Sequence, residues 1–392
     1  MKQRVALFAG LKIAIVVNQA DFFLSHRLEL ALALKKLGAS PVLVCPPGSG
    51  EDRVRNLDIP VRTLSLSRSG FNPFSELRTL VQLLRLYRQE RPDVVHHVTI
   101  KPVLYGTLAA RLCGIPAVVN AVSGLGYVFT GRGLSAFVRR FVVRQMYRIC
   151  VRHPNMRVIF QNSEDRDTFL RHRLVSSVSG VIIRGSGVDM QRFRSTPEPT
   201  GDVTFLLVAR MLADKGVREF IDAARSVRQQ HRRWRFLMAG DVDPGNPSTL
   251  TVAELEAARA YGIEWLGRRN DMAALMSSVH VVVLPSYREG LPKALLEAAA
   301  SGRAVITTDI AGCREVVRNE VNGLLVPPRD AAALAAAMRR LGEDGELRRR
   351  MGVAGSIRAV AFSVEDVVEH TLRVYAAVVA RPSLGEADEV AV

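Results

Sequence analysis

Short apolar runs alternate with longer amphipathic segments along the first half of the chain. Between several of the runs, apolar residues recur at helical spacing, as in Leu24–Leu37, Phe74–Arg88 and Val103–Cys113. This alternation predicts a parallel sheet with right-handed helical crossovers. The predicted strands are Lys12–Val17, Pro41–Cys45, Val61–Leu66, Val94–Val98, Ala117–Ala121, Arg157–Gln161 and Gly180–Ile183.

The second half repeats this plan from Val203 to about Leu341. A Pro/Ser/Thr/Gly-rich stretch, Phe193–Gly201, separates the two halves and predicts a domain boundary. The length of 392 residues suits two domains, each with its own core. We therefore predict domains at 1–193 and 194–363, a final helix at 364–381 and a disordered acidic tail at 382–392.

Two glutamates follow a predicted strand of the second half. Val281–Pro285 is typical of a buried parallel strand, and Pro292 stands where a helix would begin. Glu289 then lies in the loop at the carboxyl edge of the sheet, where open α/β folds bind ligands. Glu297 lies about a turn and a half into the helix, whose N-terminus suits a phosphate. Carboxylates beside an anion site fit a sugar nucleotide, whose hydroxyl groups donate hydrogen bonds.

A second loop carries two cations. Asp202–Ala209 predicts a strand and Gly216–Arg228 predicts a helix, so Arg210 and Lys215 lie at another carboxyl edge. Two solvated cations in a loop are common in a basic chain. The two cations become strong evidence for a ligand site only in combination with the two glutamates about eighty residues downstream.

These segments resemble family 4 of the retaining glycosyltransferases. The shared motifs are Arg-x4-Lys, Glu-x7-Glu, Gly302–Asp309, Gly312–Glu315 and Asn322–Pro327. The resemblance implies the GT-B fold, in which two Rossmann-like domains face each other across a cleft and a C-terminal helix crosses back. It also implies that residues 1–193 bind the acceptor and residues 194–363 bind a nucleotide sugar.

The resemblance assigns a role to each motif residue. Arg210 and Lys215 would stabilise the leaving diphosphate, Glu289 would orient the donor sugar, and Glu297 would bind the ribose hydroxyls. Many family members carry a His near the donor sugar where this chain has Ser123. No metal or other cofactor is implied, and Asp241-Val-Asp243 is not assigned as a metal site. Further predicted donor-binding residues are Arg268, Gly290, Leu291 and Pro292.

Three N-terminal segments, Asp21–Arg27, Ser67–Phe74 and Ser123–Phe129, resemble a subgroup that acts on polyprenyl-diphosphate-linked sugars. The implied reaction moves a hexose or N-acetylhexosamine from a UDP-sugar to a lipid-linked saccharide, in surface polysaccharide assembly. Lys101 would meet an acceptor phosphate. We also place His26 and Arg27 on the acceptor side, and we predict structural roles for His96 and His97.

The formal charge of +16 predicts an anionic partner. Arg140, Arg144, Arg148 and Arg152 recur every four residues, beside the apolar Phe137, Phe141, Val142 and Ile149. Such a helix either lies at an anionic lipid surface or packs its apolar stripe in the core. No nucleic-acid-binding motif accompanies the arginines, so nucleic acid is not predicted.

The expected location is the cytoplasm, peripheral to the inner face of the membrane. No apolar run reaches the roughly 18 residues of a membrane span. Scattered cysteines suit a reducing compartment.

Two alternatives stay open. A GT-B sugar-nucleotide epimerase or hydrolase would release UDP without an acceptor. A basic nucleic-acid-binding protein would show salt-sensitive nucleic-acid affinity and no donor binding.

Overall fold

The structure, a computed structural model, describes residues 2–66, 73–123 and 143–380. The chain divides into two compact units. The first comprises Met1–Ile183 with the segment from Val368 onwards, and the second comprises Arg184–Val367. The predicted disordered tail, Arg140 and much of the arginine-rich segment lie outside the described residues, and the limits predicted for the domains stay predictions.

The first unit contains a seven-stranded, wholly parallel sheet of order β3-β2-β1-β4-β5-β6-β7. All seven predicted strands are present. The strands are β1 (Lys12–Val16), β2 (Ser40–Cys45), β3 (Val61–Thr63), β4 (Val94–Val98), β5 (Ala117–Val122), β6 (Met156–Phe160) and β7 (Gly180–Ile182). The helices are α1 (Lys2–Phe8), α2 (Ala20–His26), α3 (Leu28–Lys36), α4 (Glu51–Arg55), α5 (Pro73–Glu90), α6 (Thr107–Cys113), α7 (143–150) and α8 (Ser163–Arg171).

Two of the predicted helices differ in form. The sequence predicts one helix over Leu24–Leu37, but α2 and α3 are separated at Arg27, whose backbone (φ −134°, ψ −3°) is not helical. The Arg27 guanidinium donates to the carbonyl oxygen of His26 at 2.8 Å, which gives that acceptor a partner outside the helical ladder. The helix predicted over Val103–Cys113 begins as a π-helical turn, Pro102–Gly106, and becomes α-helical at Thr107.

The second unit contains a six-stranded parallel sheet of order β10-β9-β8-β11-β12-β13. Its strands are β8 (Thr204–Val208), β9 (Arg235–Ala239), β10 (Ile263–Trp265), β11 (Val281–Leu284), β12 (Ala304–Thr308) and β13 (Gly323–Val326). Its helices are α9 (Val217–Arg228), α10 (Val252–Ala257), α11 (Met272–Ser277), α12 (Lys293–Ala300), α13 (Ala311–Val316), α14 (Ala331–Glu343) and α15 (Gly345–Ala359).

Both faces of the second sheet are covered, which is why its strands are continuously apolar. Phe205 and Leu207 of β8 belong to one buried cluster, whereas Leu206 between them belongs to another. Successive side chains of a strand point to opposite faces, so each strand supplies both cores. The doubly wound α/β fold predicted from sequence is confirmed.

The last helix, α16 (Val364–Val379), begins in the second unit and continues from Val368 as part of the first. There the hydroxyl oxygen of Tyr375 lies 2.6 Å from His96 Nδ1. The carbonyl oxygen of Val378 accepts a hydrogen bond from the Asn155 amide at 2.7 Å. Across the three described ranges, no helix is long and apolar enough to cross a membrane.

Each sheet has one point at which the strand order reverses. In the first sheet it lies between β1 and β4, and in the second between β8 and β11. The loops that follow the two strands at this point lie at the carboxyl edge, the usual ligand position in such sheets. Arg210 and Lys215 follow β8, and Glu289 follows β11, so the order of the strands brings the two sequence motifs together.

Candidate active site

The loops after β8 and β11 are locked together by backbone contacts. The Tyr287 N–H donates to the carbonyl oxygen of Asp214 at 2.9 Å. Gly216 ends the loop after β8 with φ +72°, and a Cβ there would lie 2.1 Å from the carbonyl oxygen of Pro285. Only glycine combines this left-handed conformation with such a close approach. This contact fixes the position of Lys215 relative to the loop that carries Glu289.

Lys215 and Glu289 form an ion pair at the reversal point of the sheet. The Lys215 ammonium nitrogen lies 2.5 Å from Glu289 Oε1, and the two side chains are 20% and 13% exposed. The backbone of Glu289 also packs closely against Gly312. A Cβ on Gly312 would lie 2.5 Å from the carbonyl oxygens of Glu289 and Gly290. The sequence motifs thus supply a pre-positioned cation and carboxylate at one place.

Arg210 pairs with Asp243, which follows β9. The Asp243 side chain is largely buried and is fixed by the Asn246 amide at 3.3 Å, whereas Arg210 is about half exposed. Asp243 therefore holds a guanidinium at the carboxyl edge, in the loop that also carries Lys215. This partnership was not predicted from sequence. The strand order supplies the missing signal, because β9 lies next to β8 and its following loop must meet Arg210.

Glu297, at the fifth position of α12, is a mostly buried carboxylate with 14% of its side chain exposed. Burial raises the pKa of Glu297 above its ordinary value, and the nearby Lys293 and Arg192 partly offset that effect. The Lys293 ammonium nitrogen lies 3.8 Å from Glu297 Oε1. The N-terminus of α12, preceded by the buried Gly290, Leu291 and Pro292, adds the positive end of a helix dipole.

A second network supports the loop that carries Glu289. The Tyr287 hydroxyl donates to Glu219 Oε1 at 2.5 Å, and the Arg329 guanidinium lies 4.6 Å from the centre of the Tyr287 ring. Burial, followed by the contact with Glu219, raises the pKa of Tyr287 to about 12. Sequence reasoning missed these residues because they come from three elements far apart in the chain.

The other predicted donor-binding residues lie at two different sheets. Arg268 follows β10 at the carboxyl edge of the second sheet and is exposed. Ser123 follows β5 in the first unit, where its hydroxyl oxygen is enclosed and has no hydrogen-bond partner in the described part of the chain. Ser123 is therefore placed at a carboxyl edge, but of the first sheet.

The predicted acceptor residues lie near the reversal point of the first sheet. Lys101 follows β4, and its ammonium nitrogen lies 2.6 Å from Glu76 Oε1, with both side chains mostly buried. The His26 ring stacks on Phe22, with the ring centres 4.2 Å apart. Arg27 is buried, and burial lowers its pKa to about 10. Lys101 is thus held by a carboxylate, which sequence reasoning did not predict.

The two strand histidines are internal. The Nδ1 of His97 lies 2.8 Å from Asn120 Oδ1, and its Nε2 lies 2.8 Å from the Tyr87 hydroxyl. Burial lowers the pKa of His97 to about 4, so the ring is neutral. His96 is equally buried and contacts Tyr375 from the other side of the strand. These contacts agree with the structural roles predicted for both.

The described part of the arginine-rich segment is α7. Its buried face consists of Val143, Tyr147 and Cys150, whereas Ile149, which belongs to the predicted apolar stripe, is 60% exposed. Arg144 and Arg148 are half buried. Ile149 therefore lies on the surface and is not packed in the core.

Comparison with solved structures identifies the fold. The structure superposes on that of Anabaena Alr3699/HepE in complex with UDP-glucose with a TM-score of 0.74 at 18% identity, covering 93% of this chain and 99% of that chain. Two doubly wound parallel sheets, one after the other along the chain, are the architecture of the GT-B fold.

The sequence comparisons give the family. The model described as "Glycosyl transferase 4-like" matches residues 12–162, and "Glycosyl transferases group 1" matches residues 202–344. The chain belongs to this family, the family 4 glycosyltransferases, and is a hexosyltransferase.

Two bacterial relatives match at 27% identity. One is the N,N'-diacetylbacillosaminyl-diphospho-undecaprenol alpha-1,3-N-acetylgalactosaminyltransferase of Campylobacter jejuni, over 90% of this chain and 97% of the relative. The other is the UDP-Gal:alpha-D-GlcNAc-diphosphoundecaprenol alpha-1,3-galactosyltransferase of Escherichia coli, over 75% of this chain and 76% of the relative.

Proposed function

We propose that this glycosyltransferase moves a hexose or N-acetylhexosamine from a UDP-sugar to a saccharide carried on a polyprenyl diphosphate, with retention of the anomeric configuration. The second unit would bind the UDP-sugar and the first unit the acceptor. The observation that carries the proposal is the Lys215–Glu289 pair at the reversal point of the second sheet, beside the N-terminus of α12. The two diphospho-undecaprenol-dependent relatives support the acceptor class.

The charges of the site fit a departing diphosphate. Lys215 and Arg210 are each oriented by a carboxylate, so neither needs to reorganise when negative charge develops on the leaving group. Glu289, held by Lys215, would accept hydrogen bonds from the donor sugar. Glu297, whose side chain is 14% exposed, would accept them from the ribose hydroxyls.

The bond changes need no protein base. The acceptor hydroxyl would form the new bond to the anomeric carbon on the face from which the diphosphate leaves, and its proton would pass to the departing phosphate oxygen. Arg210 and Lys215 would stabilise that oxygen and its neighbours. The protein's part is then to position both substrates and to stabilise charge, without a metal ion.

The test pairs a donor panel with a defined acceptor. Purified protein is incubated with UDP-glucose, UDP-galactose, UDP-N-acetylglucosamine or UDP-N-acetylgalactosamine, with and without a short-chain polyprenyl diphosphate saccharide. We expect acceptor-dependent UDP release with one of them, and a product whose new linkage has the donor's anomeric configuration by NMR.

Two outcomes would overturn the proposal. UDP release at the same rate without acceptor would indicate a hydrolase or epimerase, and an inverted linkage would refute the retaining mechanism.

The role of Lys215 is tested with the variant Lys215→Met, which should lower turnover. Arg340→Met is its matched control, because Arg340 forms an ion pair at the surface with Glu320, which lies just before β13. It removes the same charge from the same unit and should leave turnover unchanged.

A peripheral membrane contact completes the proposal, since the acceptor is a lipid. The exposed Ile149 and the flanking Arg148 and Arg152 give one surface of the first unit both apolar and cationic character. The guanidinium groups of Arg144, Arg171 and Arg148 also contribute to lowering the pKa of His172, behind burial of its ring. Positive charge is therefore concentrated around α7 and the C-terminal end of α8.

A further inference from the structure

A basic pocket opens at the amino edge of the first sheet. Its volume is about 590 Å³, and it is lined by three arginines from three segments, Arg111, Arg152 and Arg173, together with His153. Arg111 lies near the end of α6, Arg152 and His153 precede β6, and Arg173 follows α8. The chain therefore gathers cations at one place from positions that are distant in sequence.

No carboxylate of the described residues neutralises the three guanidinium groups. Among the described residues, none of the three has a carboxylate oxygen within ion-pair distance, whereas many other arginines of the chain are paired. The hydrogen bonds of Arg111 go to the carbonyl oxygens of Ile149 (3.2 Å) and Arg152 (3.5 Å). Uncompensated like charges around a concave surface favour an anion, and guanidinium groups match the geometry of phosphate oxygens.

Exposed apolar residues lie close in the chain, or by a backbone contact, to residues that line the pocket. Leu112 is 57% exposed and follows Arg111, while Val178, two residues beyond the lining Ser176, is 74% exposed. Ile149, whose carbonyl oxygen accepts from Arg111, is 60% exposed. A small hydrophilic anion would account for the arginines but not for these exposed apolar side chains. An anionic head group attached to hydrocarbon matches both the arginines and the apolar side chains.

The pocket is separate from the proposed reaction site. Met156, which lines it, is the first residue of β6, and the proposed reaction uses the carboxyl edges of the strands. A five-residue strand spans roughly 16 Å. A phosphate in the pocket is therefore not the phosphate at which sugar transfer takes place.

We propose that this pocket binds the phosphate group of an anionic phospholipid and so seats the first unit on the membrane. The proposal deepens the peripheral contact proposed above, and the sugar-transfer chemistry does not depend on it. Arg111 and Arg173 contact the phosphate from two sides, and Arg152 adds the third charge. The exposed apolar side chains named above enter the interfacial layer of the membrane.

The first experiment measures binding to vesicles of phosphatidylcholine with or without phosphatidylglycerol at low salt. Wild-type protein should cosediment only with the anionic vesicles. The double variant Arg152→Gln/Arg173→Asn, which spares the carbonyl contacts of Arg111, should bind on the order of 25-fold more weakly, from about fivefold for each cationic group near an anionic bilayer. Asn is chosen at 173 because the backbone there has φ +51°.

Controls separate folding, general charge and catalysis. Arg62→Gln removes a charge at the opposite end of the sheet, on β3, and should retain binding within twofold. The double variant should keep the wild-type melting temperature and its turnover on a water-soluble acceptor. If the double variant melts early, Arg173→Asn alone is tested, with an expected fivefold loss. Wild-type protein that binds anionic vesicles but shows no acceptor-dependent turnover would count against the transfer proposal and not against the pocket.

The second experiment distinguishes the source of the phosphate. The His153 ring lines the pocket, with Nδ1 3.0 Å from the Asn155 carbonyl oxygen and Nε2 2.9 Å from that of Ile115. Its NMR signals should shift with short-chain phosphatidylglycerol at concentrations where inorganic phosphate has no effect. An equal response to inorganic phosphate without vesicle binding would overturn the lipid assignment. Vesicle binding unchanged in the double variant would overturn the pocket altogether.

Discussion

The Lys215–Glu289 pair permits a test that separates catalysis from structure. Lys215→Met removes the ammonium group and leaves a mostly buried carboxylate, 13% exposed, without its partner. At 2.5 Å the direct attraction is about 7 kcal/mol at an effective dielectric constant of 20, most of it offset by desolvation. The net loss expected for a hydrogen bond between charged groups is about 1.5–3 kcal/mol in the unfolding free energy.

The double variant Lys215→Met/Glu289→Gln removes both charges. Its unfolding free energy should return to within about 1 kcal/mol of the wild-type value, because no unpaired charge is left buried. Turnover should not return, because the leaving diphosphate still lacks its cation. Loss of one such transition-state contact lowers turnover by about two to three orders of magnitude.

The assays are denaturant unfolding for stability and acceptor-dependent UDP release for turnover, with Arg340→Met as the charge control. Three results are expected together: an unstable single variant, a stable double variant, and low turnover in both. If turnover recovers with stability in the double variant, the pair only supports the loop, and the catalytic assignment of Lys215 is refuted.

The remaining predictions concern the nucleotide, the metal and the membrane. Glu297→Gln should weaken UDP binding by about 1.5–3 kcal/mol in calorimetry, since a charged acceptor of ribose hydrogen bonds is lost. Because burial raises the pKa of Glu297 above its ordinary 4.5, wild-type UDP affinity should fall as pH is lowered through that raised pKa, and the variant should lack this dependence. Without UDP the same variant should unfold less readily at pH 7, because burial in the folded state disfavours the charged form of the wild-type carboxyl group. No gain in stability would contradict the assigned burial. Asp243→Asn should lower turnover, because Arg210 loses the carboxylate that orients it. The loss should be smaller than the two to three orders of magnitude expected for Arg210→Ala. Equal losses in the two variants would show that Asp243 itself contacts the substrate. EDTA should leave turnover unchanged, and strict dependence on Mg²⁺ would revive Asp241 and Asp243 as ligands. Arg148→Glu should weaken sedimentation with anionic vesicles at low salt, as high salt should in the wild type; unaltered sedimentation would remove α7 from the membrane contact.

The sequence alone predicted the architecture, because strands buried on both faces must be continuously apolar and their connecting helices amphipathic. It also located the charged motifs at strand ends, where parallel sheets bind ligands. Arg210, Lys215, Glu289 and Glu297 could be chosen in this way. The positions of the four in the structure follow from the strand order.

Partners and local departures from regular geometry were decided by the tertiary structure. Neither the Asp243–Arg210 pair nor the Tyr287 network has a local signal, because each joins loops that only sheet formation makes neighbours. The break at Arg27 depends on where a buried guanidinium finds an acceptor. Hydrophobic periodicity specifies which face of an element is buried, whereas the pairing of its charged groups depends on which other elements pack against it.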